Sequence, residues 1–136
     1  MPKTIAITMD LYSHVTTTLG REAAQTLAVA ARLDAMRQPR ILVGDMNVQP
    51  PSEELAPLLD RLCDVWPSAG RSDGPTIPSG EPRWRIDLVL VERTMGPLRA
   101  WTVRTDASDH LPVVCDVEIN PAHLGPRGGR GGGRSE

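Results

Sequence analysis

Acids, an amide and imidazoles stand at a few points of this chain in settings suited to chemistry. In Ile41-Leu42-Val43-Gly44-Asp45-Met46-Asn47, three apolar residues make a short buried strand. Glycine then permits a tight turn that sets the Asp45 carboxylate beside the Asn47 amide at the strand's carboxyl end. Asp87 is the single acid within the apolar run Ile86 to Val91. A buried, ionised carboxylate without a partner costs several kcal/mol, so Asp87 must either pair, with an arginine such as Arg83 or Arg85, or lie at an opening. Ser108-Asp109-His110 leads through Leu111 and Pro112 into another strand, and the proline makes it a fixed display of two titratable groups. His14 stands at the end of the first strand. Such groups do acid–base work, and carboxylates also hold hard divalent cations. Taken singly, each segment also fits an ordinary turn, a structural ion pair or a solvated loop.

Strands and helices must position these groups, and the apolar pattern locates them. Residues 3–12 alternate, with Ile5, Ile7, Met9 and Leu11 on one side of a half-buried strand. From Arg21 to Met36 strong helix formers dominate, and Ala24, Leu27, Ala28, Ala31 and Ala35 recur at helical spacing as the expected packed face. Pro39 marks the exit into the strand that ends at Asp45. After Pro50-Pro51, Ser52 opens a short helix with Leu55, Leu58, Leu59 and Leu62 as its apolar side, which Asp64-Val65-Trp66-Pro67 should end. Residues 67–83 are rich in proline and glycine and read as an irregular loop of functional length. Strands follow over Trp84–Val91, over Pro97–Arg104 through Leu98, Trp101 and Val103, and over Leu111–Ile119. In the last, Val113, Cys115, Val117 and Ile119 alternate with polar positions.

Composition limits the rest. The 136 residues suffice for one domain, and with three Trp, one Tyr and no Phe its core must be aliphatic. Residues 1–120 are expected to form that domain, and the Gly/Arg-rich residues 121–136 a disordered tail, because such a segment buries too little apolar surface to offset its ordering entropy. The chain carries a net charge of −2, and its arginine tail leaves the body before it more acidic still. A nonspecific grip on nucleic acid is not what such a body advertises. Cys63 and Cys115 lack metal-type spacing and are expected as free thiols in a reducing, cytoplasmic setting. No apolar run approaches the ~20 residues needed to span a bilayer.

In chain order, Ser13-His14-Val15, a helix carrying Arg21 and Gln25, Gly44-Asp45-Met46-Asn47, Thr76-Ile77-Pro78, Arg85-Ile86-Asp87-Leu88 and Ser108-Asp109-His110-Leu111-Pro112 together resemble the endonuclease/exonuclease/phosphatase superfamily. The resemblance runs from about residue 5 to 119 and departs from the family's usual residues at Met46 and Ile77, which are packing positions. It implies an α/β (α+β) fold: half of a four-layer αββα sandwich, with a mixed, mostly antiparallel sheet and two helices on one face. It also implies a metal-dependent hydrolase of phosphate esters. By the same resemblance, His110 and Asp87 form a dyad, Asp45 orients or deprotonates the attacking water, and Asn47 and His14 hold phosphate oxygens. Asp109 and Asp45 bind Mg²⁺ or Mn²⁺. These roles agree with what in-line phosphoryl transfer requires: a positioned water, neutralised nonbridging oxygens and a hard metal on carboxylates.

The resemblance covers only the C-terminal half of such proteins. Their first half supplies an early strand-end asparagine and the principal metal-ligating glutamate, and nothing before Lys3 matches either. Two expectations follow. Turnover by these residues alone should be weak or absent, and a sheet face left open should be covered by self-association or by the missing half. Nucleic acid, a phospholipid headgroup and an inositol phosphate all remain open as the phosphate ester. A non-catalytic module that contacts phosphate or nucleic acid is the alternative reading.

Overall fold

The computed structural model describes residues 3–9 and 19–124. Among them β1 (Lys3–Met9) is followed by α1 (Leu19–Ala35), β2 (Ile41–Asp45), α2 (Ala56–Leu59), β3 (Cys63–Asp64), α3 (Trp66–Ala69), β4 (Asp87–Val91), β5 (Gly96–Thr102) and β6 (Val113–Ile119). The strands pair antiparallel in two three-stranded sheets, one ordered β1-β6-β5 and the other β2-β4-β3. This is an α+β fold, and its helices α1 and α2 share one face of the β2-β4-β3 sheet.

β4 is the centre of the molecule because both of its faces are covered. Leu88 and Leu90 point to a core made with Ala30 and Leu33 of α1 and with Leu55, Leu58 and Leu62. Val89 and Val91 point the other way, into a core with Ala100, Val113, Cys115, Val117 and Ile119 of the second sheet. A strand buried on both sides reads as a continuous apolar run, which is why Asp87 stands out in it. The alternation expected for β6 is present: Val113, Cys115, Val117 and Ile119 are buried and Val114, Asp116 and Glu118 are not. Register sets Ile5, Ile7 and Met9 of β1 opposite Val117, Cys115 and Val113. Burial pushes the Cys115 thiol up to about 11, and Cys63 and Cys115 are both free.

Three expectations need correcting. The buried side of α1 is Ala30 and Leu33, with Val29 packed beside them, while Ala24, Leu27, Ala28, Ala31 and Ala35 lie outward and Leu27 is 60% exposed. An alanine row buries little area, so the larger Val29 and Leu33 decide which stripe turns inward. In β5 the buried residue is Ala100, whereas Leu98 is exposed, because a register irregularity between Pro97 and Arg99 shifts the alternation; Val103 falls one residue past the strand and is exposed as well. Residues 67–83 are more ordered than proline and glycine content suggests. α3 opens the segment, and Trp66 donates its indole N–H to the Ser72 carbonyl. Gly74, at φ +67°, crosses the indole so closely that a Cβ would collide with it.

Val43 shares a face with its β4 partner Val89 yet is 40% exposed. The core between the sheets therefore reaches β2 at Ile41, which packs against it, and leaves Val43 open. Among the described residues no helix is long and apolar enough to cross a membrane.

Candidate active site

Three strand ends meet at one edge. β2 ends at Asp45, β4 begins at Asp87, and register puts these two acids directly opposite each other. Like charges facing across an antiparallel pair repel, so the arrangement requires something to offset it. His110, two residues after Ser108 and three before β6, supplies it: its Nδ1 lies 2.7 Å from Asp87 Oδ2 and its Nε2 lies 3.9 Å from Asp45 Oδ2. All three side chains are at least nine-tenths buried. Asp87's partner is thus the imidazole, while Arg83 pairs with Glu81 and Arg85 with Asp64.

Each member is held from outside the cluster as well. The Asn47 backbone N–H donates to Asp45 Oδ1 at 2.8 Å and leaves Oδ2 without a hydrogen-bond partner. Asn47 takes φ 53° to make that turn, a conformation asparagine tolerates better than most residues. The Ser108 hydroxyl accepts the His110 backbone N–H at 3.1 Å, and the Ser79 N–H donates to the Asp109 carbonyl at 2.7 Å. Asp87 Oδ1 is buried without a partner. Burial pushes the Asp87 pKa up, the Thr76 hydroxyl and His110 pull it down, and the charge on Asp45 adds to the upward push.

Asp45, Asp87 and His110 each offer one ligand atom within 4.8 Å of the others, a set able to hold a metal ion. Asp109 is not part of that cluster: its side chain is exposed, and one of its oxygens accepts from the Ser108 hydroxyl at 3.4 Å. Asn47 is exposed beside Asp45 and shares with it, Gln25 and Met46 the lining of a cavity of about 110 Å³. His14 lies outside the described residues. Two residues near the site were not singled out for any role from sequence. Thr76 is fully buried against Asp87, and Trp84, three residues before Asp87, is 52% exposed. Only the position of Thr76 in a motif hinted at the first, and an aromatic among prolines gave no signal for the second.

The family model described as endonuclease/exonuclease/phosphatase matches residues 6–110, most of the chain. The chain belongs to this family. No curated protein matches significantly. Among solved structures, an endonuclease/exonuclease/phosphatase family protein from Bacteroides thetaiotaomicron is 17% identical with a TM-score of 0.66, covering 76% of this chain and 47% of its own. A mannosyl-6-phosphatase from the same organism is 19% identical, with a TM-score of 0.62 and coverages of 74% and 46%. A family protein from Beutenbergia cavernae is 25% identical, with a TM-score of 0.63 and coverages of 88% and 40%. The chain therefore spans less than half the length of these endonuclease/exonuclease/phosphatase relatives. Proteins of the family are in general metal-dependent.

Proposed function

We propose that these residues are the acid–base part of a phosphate-ester hydrolase. The observation that carries this reading is the His110 imidazole, held at 2.7 Å by Asp87 with its second nitrogen turned toward Asp45. With Nδ1–H donated to Asp87, the ring is fixed in orientation, and Nε2 faces Asp45 and the space where a phosphate oxygen would bind. Asp45 Oδ2, whose twin oxygen is fixed by the Asn47 N–H, is placed to orient or deprotonate an attacking water. The Asn47 side-chain amide and His14 would hold phosphate oxygens.

A divalent cation fits this site on the evidence of its donors, since two carboxylates with a buried, unpartnered oxygen each stand beside an imidazole nitrogen. From this cluster Asp45 would hold Mg²⁺ or Mn²⁺, and Asp109, exposed beside His110 and outside the cluster, is the second carboxylate proposed for it. When bound, the cation neutralises charge on the phosphate oxygens. The phosphate ester itself is proposed only by class. The mannosyl-6-phosphatase among the structural relatives acts on a phosphomonoester, whereas the family name also spans nucleases.

Hydrolysis of bis(p-nitrophenyl) phosphate and p-nitrophenyl phosphate with Mg²⁺ or Mn²⁺ tests the reading. Residues 1–136 alone should turn over near background, because Asp45 and Asp109 give the metal few ligands. A longer protein that includes the relatives' other half should show turnover, and His110→Ala in it should lower kcat by about 10²- to 10⁴-fold. Turnover that survives His110→Ala would place the chemistry elsewhere.

A further inference from the structure

Thr76 is polar and completely buried, 0% exposed. It sits in the segment between α3 and β4, where Ile77 and Trp84 pair in a short antiparallel bridge. Its backbone N–H donates to the Trp84 carbonyl at 2.7 Å, and its own carbonyl accepts the Leu111 N–H at 2.7 Å. Its hydroxyl oxygen lies 3.4 Å from the backbone nitrogens of both Ile86 and Asp87, which donate to it, and 3.4 Å from the Trp84 carbonyl, to which it donates. Thr76 thus touches the main chain of Asp87 on one side and that of the residue after His110 on the other.

Asp87 Oδ1 is buried without a hydrogen-bond partner, and the Thr76 hydroxyl pulls the Asp87 carboxyl down while burial, the larger cause, pushes it up. The Asp87 side chain is therefore held through its own main chain, on which the Thr76 hydroxyl accepts a hydrogen bond, and through His110.

We infer that Thr76 is a positioning residue for the Asp87–His110 pair: its hydroxyl holds the main chain at Asp87, and its carbonyl holds the main chain next to His110. The role rests on the phosphoesterase reading above for its use in catalysis, but the geometry of the pair can be read without turnover. An imidazole Nδ1–H bonded to a buried carboxylate exchanges slowly and resonates far downfield.

The test is ¹H–¹⁵N spectroscopy of the full chain labelled at histidine, with the His110 signal assigned by its loss in His110→Gln. Thr76→Val keeps the shape and removes the hydroxyl, and the downfield Nδ1–H resonance should be lost. Thr76→Ser restores the hydroxyl and should retain the resonance at its original position, while Thr76→Ala should behave like Thr76→Val. Retention of the signal in a folded Thr76→Val or Thr76→Ala protein would overturn the role. So would unfolding of both variants, because the hydroxyl would then serve stability rather than the pair. The hydrolysis assay is independent: loss of turnover in His110→Ala with an unchanged resonance in Thr76→Val would leave the function standing and remove Thr76 from it.

Discussion

β4 carries a buried acid at each end, and the two are treated in opposite ways. Glu92, directly after Val91, is enclosed by Arg40. Glu92 Oε2 accepts from Arg40 Nε at 2.8 Å and from the Arg40 backbone N–H at 3.1 Å, and Oε1 accepts from Nη2 at 3.1 Å. The remaining guanidinium nitrogen, Nη1, donates to the Leu33 carbonyl at 2.9 Å, which ties the end of α1 to the sheet. Arg40 holds the Glu92 carboxyl below the usual range. Asp87 has no guanidinium. It faces a second acid, keeps one unpartnered oxygen, and is raised by its burial. A fully satisfied buried acid is a structural device, whereas one left short of partners and beside an imidazole is poised for chemistry.

The largest effect should come from breaking the satisfied end. Arg40→Ala leaves Glu92 buried and uncompensated and should cost about 3 kcal/mol in urea denaturation. The double variant Arg40→Met/Glu92→Leu should recover most of that loss. If the double variant is as unstable as the single, packing around Arg40 matters more than the charge it neutralises.

Asp87→Asn should do the reverse, raising the thermal midpoint at pH 7 while abolishing the His110 Nδ1–H resonance and, in the longer protein, turnover. A lowered midpoint at pH 7 would mean that the His110 contact outweighs the burial cost. The pH dependence separates the two ends further. Because the Glu92 pKa is lowered in the fold, its stabilisation is present above its ordinary value of 4.5 and is lost as pH falls through the lowered value. Because the Asp87 pKa is raised, its ionised form weakens the fold progressively as pH climbs from 3.8 through the raised value. Midpoints measured with chelator from pH 3.5 to 7.5, roughly spanning both ordinary carboxylate values, should show the advantage of Asp87→Asn growing with pH. The deficit of Glu92→Gln should grow in the same direction. The smallest effect belongs to the exposed Arg83–Glu81 pair, where Glu81→Gln should leave the midpoint unchanged because solvent screens such pairs.

Sequence revealed more of the site than of the helix that flanks it. Asp45, Asp87 and His110 were legible because each breaks an apolar strand context at a strand end, and a buried acid demands a partner whatever the fold. Which stripe of α1 turns inward was not legible, since alanine recurs on both sides and only the neighbouring Leu55, Leu58 and Leu88 select Leu33 over Leu27. β3 and α3 were missed because elements of two and four residues carry no periodicity. Asp109 was assigned to the metal by resemblance, and the structure leaves its side chain exposed, outside the cluster of Asp45, Asp87 and His110.

Residue types and order alone determined that β4 is an apolar strand interrupted by one acid, that this acid needs a counterpart, and that a strand-end carboxylate and a proline-fixed imidazole are available. Local patterns suffice for this because burial and turn chemistry act over a few residues. The residues by themselves left the counterpart of Asp87 open, with His110 named only by the resemblance, and tertiary structure decided it. Arg83 and Arg85 are nearer in sequence, yet each is taken by another acid, while a residue 23 positions away arrives at 2.7 Å. The facing of Asp45 and Asp87 is likewise a matter of register between β2 and β4. Register is set by the whole pattern of apolar contacts across the sheet, because a one-residue slip would turn every buried side chain to the wrong face.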